Sequence, residues 1–217
     1  MKRRVAILIS GRGSNMAALI RAAATPDFPA EIAVVISNRA DATGIAAAKA
    51  SGVEALVIES KEFGKDRSAF EGVLQATLDK HQIELICLAG FMRLFTSEFV
   101  QRWYGRMLNI HPALLPSFPG LEPQAQALRA GVKISGATVH FVTPETDSGP
   151  ILMQGAVAVR DDDTAETLAA RILGIEHRIY PAALRLLAAG KFQLAGDVCK
   201  TSGAAHSGAG LISPRLD

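Results

Sequence analysis

Short apolar runs alternate with helical-period stretches along the first half of the chain. An apolar run over residues 5–9 predicts a first strand, a Gly-rich turn follows, and a helix is expected over 14–24. Further strands are expected over 32–36, 55–58, 85–88 and 107–110. The stretches between them read as helices over 43–51, 70–78 and 97–103, with Gly52 stopping the first of these. Strands separated by helices point to a parallel sheet covered on both faces. The pattern then changes. Residues 133–142 and 151–159 are longer alternating strands with no helix between them, joined by the turn residues Thr143-Pro144-Glu145-Thr146-Asp147-Ser148-Gly149-Pro150. These two are expected to pair antiparallel. A final helix carries Leu168, Ile172, Ile175 and Ile179 at helical spacing, with Asp163 and Glu166 suited to a capping box at its start. From Gly196 onward Gly, Ser and Ala dominate and the period is lost.

The fold class that follows is α/β: a Rossmann-like open twisted sheet with parallel N-terminal strands, antiparallel C-terminal strands and helices on both faces. The predicted organisation is one domain over 1–195, made of halves over about 1–105 and 106–195, with a flexible tail over 196–217.

Composition narrows the function classes. A net charge of +2 over 217 residues gives no electrostatic footprint for nucleic acid or an anionic membrane, so neither partner is expected. Two cysteines make no disulfide framework, and Cys87, between Ile86 and Leu88, reads as a small buried hydrophobe. No Cys/His spacing suggests a metal, and none is expected. The N-terminal apolar run breaks into Ser10-Gly11-Arg12-Gly13, which reads as a buried strand and not as a signal peptide. No run approaches transmembrane length, and the cytoplasm is the default location.

The chemistry concentrates at strand ends. Leu108-Asn109-Ile110-His111-Pro112 ends the fifth strand. Alternation sends Asn109 and His111 to one face, and Pro112 stops the ladder. A carboxamide and an imidazole then sit at the carboxyl end of a strand, where open α/β sheets bind ligands. An amide N–H suits a developing oxyanion, and imidazole suits proton transfer near neutral pH. Asp147 is a candidate carboxylate for orienting His111, or a plain turn former. No Ser or Cys occupies a nucleophile elbow. In Ser10-Gly11-Arg12-Gly13-Ser14-Asn15 the glycines and the following helix N-terminus suit a phosphate, or Ser14 is simply a helix cap. Met16 stands where a dinucleotide site needs a third small residue, and Ser37-Asn38 stand where it needs an acid, which argues against NAD. Asp161-Asp162-Asp163 reads as a solvated helix start. Glu176 lies at the rim of the apolar stripe, placed to read an amino or cationic group or to form a surface salt bridge.

Together these segments resemble the phosphoribosylglycinamide (GAR) formyltransferases, folate-dependent enzymes of purine synthesis. The resemblance covers about residues 4–192. It rests on Leu88-Ala89-Gly90-Phe91-Met92-Arg93, Leu108-Asn109-Ile110-His111-Pro112, Leu114-Leu115-Pro116, Thr138-Val139-His140-Phe141-Val142, Asp147-Ser148-Gly149-Pro150 and Glu176-His177-Arg178-Ile179-Tyr180-Pro181. It implies formyl transfer from the co-substrate 10-formyltetrahydrofolate to the amine of GAR, with no metal or covalent intermediate. Asn109 would stabilise the oxyanion, His111 would assist proton transfer or hold the oxyanion, and Asp147 would orient and tune His111. Gly13, Ser14 and Asn15 would hold the GAR phosphate, and Glu176 its ribose or glycinamide end. Arg67, Met92, Arg93, Leu94, Phe95, Asn109, Thr143, Pro144, Glu145, Thr146 and Asp147 would form the folate site. The family includes monomers and homodimers.

The chain carries Glu122-Pro123-Gln124 where relatives often have a His-rich segment, and Gly174-Ile175 where a Gln is familiar. Methionyl-tRNA formyltransferase shares the Asn-x-His-Pro core but needs a C-terminal tRNA-binding domain, for which no room is expected after residue 195. Formyltetrahydrofolate hydrolase shares it with an added N-terminal domain, whereas strand one here begins at residue 4. A non-catalytic folate- or nucleotide-binding module is the alternative of a different class.

Overall fold

The computed structural model describes residues 1–202. Strands β1 (Arg3–Ile9), β2 (Ala30–Ser37), β3 (Ala55–Val57), β4 (Leu85–Leu88), β5 (Met107–His111), β6 (Ile134–Phe141) and β7 (Ile151–Ala158) form one seven-stranded sheet in the order β3-β2-β1-β4-β5-β6-β7. The first five run parallel, and β6 and β7 are antiparallel additions at one edge. Helices α1 (Ser14–Ala23), α2 (Gly44–Ala50), α3 (Arg67–Lys80), α4 (Ser97–Arg102), α5 (Pro123–Arg129) and α6 (Ala165–Ala188) connect and cover them. The expected α/β sheet, parallel first and antiparallel last, is what forms.

Alternation within the strands builds two cores. Along β1, Val5, Ile7 and Ile9 enter a core with α1 and α6. Ala6 and Leu8 enter a second core on the other face, with α3 and α4. A strand buried on both sides has no polar face, which is why residues 5–9 of β1 and the whole of β4 read as unbroken apolar runs. Burial pushes the Cys87 thiol up to about 12, so it packs as an inert small hydrophobe. Tyr180, fully buried on α6, donates its hydroxyl to the Leu88 and Leu108 carbonyls at 3.0 and 3.1 Å, tying the helix to two adjacent strands.

Two local expectations are corrected, and one further helix forms. The cap of α6 is Thr164, whose hydroxyl exchanges bonds with Thr167 in a capping box. Asp163 and Glu166 do not form it, because Asp163 is held by the Arg171 guanidinium, which lowers its carboxyl pKa well below the ordinary range. The loss of period at Gly196 does not mark the end of ordered structure. Strands β8 (Phe192–Ala195) and β9 (Val198–Thr201) make a hairpin, and Phe192 packs on Phe141 with ring centroids 5.2 Å apart. The rest of the expected tail, 203–217, lies outside the described residues. Helix α5 was not expected; Pro123 at its first turn and Glu122 at φ 52° start it.

Candidate active site

Parallel strands β1, β4 and β5 bring their carboxyl ends to one edge of the sheet, and the candidate chemistry collects there. At the end of β5, the antiparallel register sets Asn109 opposite His140 and His111 opposite Thr138. Opposed residues share a face, so His140 joins the Asn109 and His111 pair. The Asn109 amide nitrogen lies 3.2 Å from His140 Nε2. His140 Nδ1 lies 2.9 Å from the Phe141 carbonyl oxygen, which only accepts. Nδ1 therefore carries the proton, and Nε2 accepts from Asn109. Burial holds the His140 pKa below its ordinary value, and nearby His111 adds to this; the Phe141 carbonyl and Asp147 oppose it. One N–H of the Asn109 amide is thus committed to a neutral imidazole, and the other is free for a ligand.

Asp147 arrives on the connection between β6 and β7. Its backbone is left-handed, φ 54°, a conformation Asp tolerates better than most residues. Gly149 lies so close to β6 that a Cβ there would sit 1.8 Å from the Phe141 carbonyl oxygen, so only glycine lets the loop fold down. Asp147 Oδ2 then lies 3.3 Å from His111 Nδ1, with the two side chains 9% and 7% exposed. Oδ1 lies 3.7 Å from His140 Nε2. His111 Nε2 is 2.9 Å from the Phe118 carbonyl oxygen. Both nitrogens of His111 face oxygens, Asp147 Oδ2 on one side and the Phe118 carbonyl on the other. The Gly120 N–H donates to Asp147 Oδ2 at 2.9 Å, so the turn after β5 is fastened to both members of the pair.

The shift at His140 has a consequence for pH. Its folded pKa lies below the ordinary 6.5. Between those two values the unfolded chain binds a proton that the folded chain does not, so stability falls with falling pH in that window. The contribution is complete above 6.5 and is lost as pH drops through the folded value. His177, also lowered by burial and by Arg21, acts in the same direction. Calorimetric melting across this window is expected to show a falling Tm on acidification, with a shallower slope in a His140→Gln variant. An unchanged slope in the variant would contradict the assignment.

Farther along the same sheet edge, β1 runs into Ser10 and the Gly-rich turn. Gly13, φ 73°, is the N-cap of α1; no side chain caps the helix and no acid occupies its first turn. The leading N–H groups of α1 are left for an anion. Ser14 is the first helical residue and not the cap. Asn15 donates through Nδ2 to Glu176 Oε2 at 2.7 Å, while its Oδ1 is buried with no hydrogen-bond partner among the described residues. Glu176 is buried, so the surface salt bridge weighed for it does not form; burial raises its pKa, and the bond from Asn15 opposes the rise. Two acceptors short of donors, next to a turn whose helix N–H groups are uncapped, suit the hydroxyl or amino groups of a ligand.

A sequence profile described as formyl transferase matches residues 3–184. The phosphoribosylglycinamide formyltransferase of Bacillus subtilis is 38% identical over 185 residues, 85% of this chain and 94% of its own. The chain belongs to the phosphoribosylglycinamide formyltransferase family. Glycinamide ribonucleotide transformylase 1 from Symbiobacterium toebii superimposes with a TM-score of 0.89 at 46% identity, covering 93% of this chain and 94% of that one. The human trifunctional purine biosynthetic protein adenosine-3 is 47% identical over 200 residues, 91% of this chain. The chain spans about a fifth of the length of that and similar trifunctional relatives. A formyltetrahydrofolate deformylase from Pseudomonas syringae matches with a TM-score of 0.86 at 26% identity, covering 93% of this chain and 66% of that one.

Within this family member, the residues expected at a folate site fall mainly on two loops, with Asn109 on β5 and Arg67 on α3. On the first, Met92 and Leu94 point outward, 73% and 56% exposed. Arg93 folds inward instead, its guanidinium 4.8 Å from the Phe70 ring centroid, with Nε and Nη2 buried and unpaired among the described residues. Phe95 stacks between Phe91 and Phe99 at centroid distances of 5.3 and 4.6 Å. On the second loop, Thr143 is half-buried and Pro144, Glu145 and Thr146 are exposed ahead of Asp147. Arg67 is exposed at the first turn of α3. Among the described residues no group of three or more His, Cys, Asp or Glu side chains is arranged to hold a metal ion, and no helix is long and apolar enough to cross a membrane. The residue that sequence reasoning left without a role is His140. Its strand was visible, but its placement beside Asn109 depends on the β5–β6 register, which strand alternation alone does not set.

Proposed function

We propose that this chain transfers the formyl group of 10-formyltetrahydrofolate to the amine of phosphoribosylglycinamide, giving formyl-GAR and tetrahydrofolate in purine biosynthesis. The observation that carries the proposal is the half-buried Asn109 beside the nearly closed His111 and Asp147 pair, on the sheet edge that also bears the Gly13 turn. The substrate amine attacks the formyl carbon, and the carbonyl π electrons move to oxygen. The free N–H of Asn109 meets that oxyanion, its amide held in one orientation by neutral His140. His111, charge-balanced by Asp147, adds electrostatic stabilisation. Collapse of the tetrahedral intermediate breaks the bond to N10 of the folate, and the proton lost by the attacking amine is delivered to that nitrogen, with His111 as the relay. Ser14 and Asn15 N–H groups hold the phosphate, and Glu176 with Asn15 Oδ1 reads donors on the ribose or glycinamide.

A second reading is hydrolysis of the same donor, favoured by the similarity to the deformylase. In that case water replaces the amine. The test is tetrahydrofolate release from 10-formyltetrahydrofolate with and without GAR. Release that depends on GAR and is matched by formyl-GAR supports the transferase. Equal release without GAR rejects it in favour of the hydrolase.

A further inference from the structure

The loop between β4 and α4, which carries Met92 and Leu94, is held at both ends by buried polar side chains from other elements. At its start, the Ser10 hydroxyl, 7% exposed, accepts from the Met92 N–H at 2.7 Å and donates to Asn38 Oδ1 at 2.6 Å. At its end, Glu71 of α3, 6% exposed, accepts from the Thr96 N–H at 2.6 Å and from the Thr96 hydroxyl. Thr96 itself caps α4, accepting from the Phe99 N–H at 3.2 Å. A buried carboxylate is costly unless its lone pairs are met, and those of Glu71 are spent on one residue. The outward side chains of this loop are apolar, so its backbone N–H and C=O groups are the polar features open to a heterocycle. Backbone groups discriminate a ligand only when the peptide planes are fixed beforehand.

We propose that Glu71 is a positioning residue for folate binding: its carboxylate, opposite Ser10, holds residues 92–95 in the conformation that receives the co-substrate. The inference rests on the folate reading above. Ser10 also begins the phosphate turn, so a change there would disturb both substrates, whereas the hydrogen bonds of Glu71 go to Thr96 at the end of the folate loop. This makes Glu71 the discriminating position.

The experiment compares wild type, Glu71→Ala and Glu71→Gln in the full chain by tetrahydrofolate titration calorimetry, by KM for each substrate and by Tm. Glu71→Ala should weaken tetrahydrofolate about tenfold and raise KM for 10-formyltetrahydrofolate in parallel, with kcat and KM for GAR held within about twofold. Glu71→Gln keeps an oxygen acceptor for the Thr96 N–H and should recover most of the loss. Unchanged tetrahydrofolate affinity in folded Glu71→Ala, or an equal rise in both KM values, overturns the proposal in favour of a purely structural carboxylate. If Glu71→Ala does not fold, Thr96→Val removes the hydroxyl alone. A folate-only loss of about threefold then supports the clamp, and no loss overturns it. Wild type that binds tetrahydrofolate but makes no formyl-GAR sinks the acceptor assignment and leaves the Glu71 test decisive. Wild type that does not bind tetrahydrofolate removes both.

Discussion

Asp147→Asn is expected to lower kcat by about three to four orders of magnitude, the scale seen when a histidine loses its orienting carboxylate. Three features make this variant informative. Asn adopts left-handed backbone as readily as Asp, so the φ of 54° at this position is kept. The amide oxygen can still accept from the Gly120 N–H, so the turn after β5 stays attached. What disappears is the charge 3.3 Å from His111 Nδ1, in a pair almost closed to solvent, where a carboxylate stabilises imidazolium far more than at a surface. KM for GAR should move by about twofold or less, because Gly13, Asn15 and Glu176 lie on other elements. Steady-state kinetics at saturating GAR are the measurement. A kcat within about tenfold of wild type would reduce Asp147 to a turn residue.

Asn109→Ala is expected to cost about two to three orders of magnitude in kcat, the usual effect of deleting one oxyanion donor. The substitution also orphans the His140 Nε2 lone pair, which accepts from Asn109 at 3.2 Å. A buried acceptor left unmet costs about 1–3 kcal/mol, so Tm should fall as well. Asn109→Asp removes both N–H donors, toward His140 as well as toward the oxyanion. It keeps the shape but offers an acceptor where the oxyanion needs a donor, and should be at least as inactive. Substrate affinities should change little in either variant, since the bond matters when charge develops on the formyl oxygen. A proportional rise in KM with kcat intact would place Asn109 in ground-state binding instead.

Both variants depend on geometry that is unevenly written in the chain. Apolar runs and helix punctuation locate β1 to β7 and most helices, because burial on both faces leaves a local composition. The Gly-rich turn is local too: Gly13, Ser14 and Asn15 are contiguous, and the helix N-terminus comes with them. Asn109 and His111 are legible as neighbours because one strand carries both. Capping chemistry was harder to read. Asp163 looked like the cap of α6 until Arg171, eight residues on, claimed its carboxylate and left Thr164 the role. The β8–β9 hairpin escaped notice because its strands are short and its stability comes from packing on Phe141, a partner fifty residues away.

By itself, then, the sequence determined the layered α/β sheet, the Gly-rich turn at the start of α1 and the Asn109 and His111 pair, all set by period, composition and adjacency. Only the tertiary structure decided what those residues touch. The β5–β6 register placed His140 behind Asn109, the close approach of Gly149 to Phe141 lowered Asp147 onto His111, and α6 carried Glu176 to Asn15 across 161 positions. Those contacts follow from register, backbone clearance and helix packing, which depend on many distant residues at once and leave no local pattern in the chain.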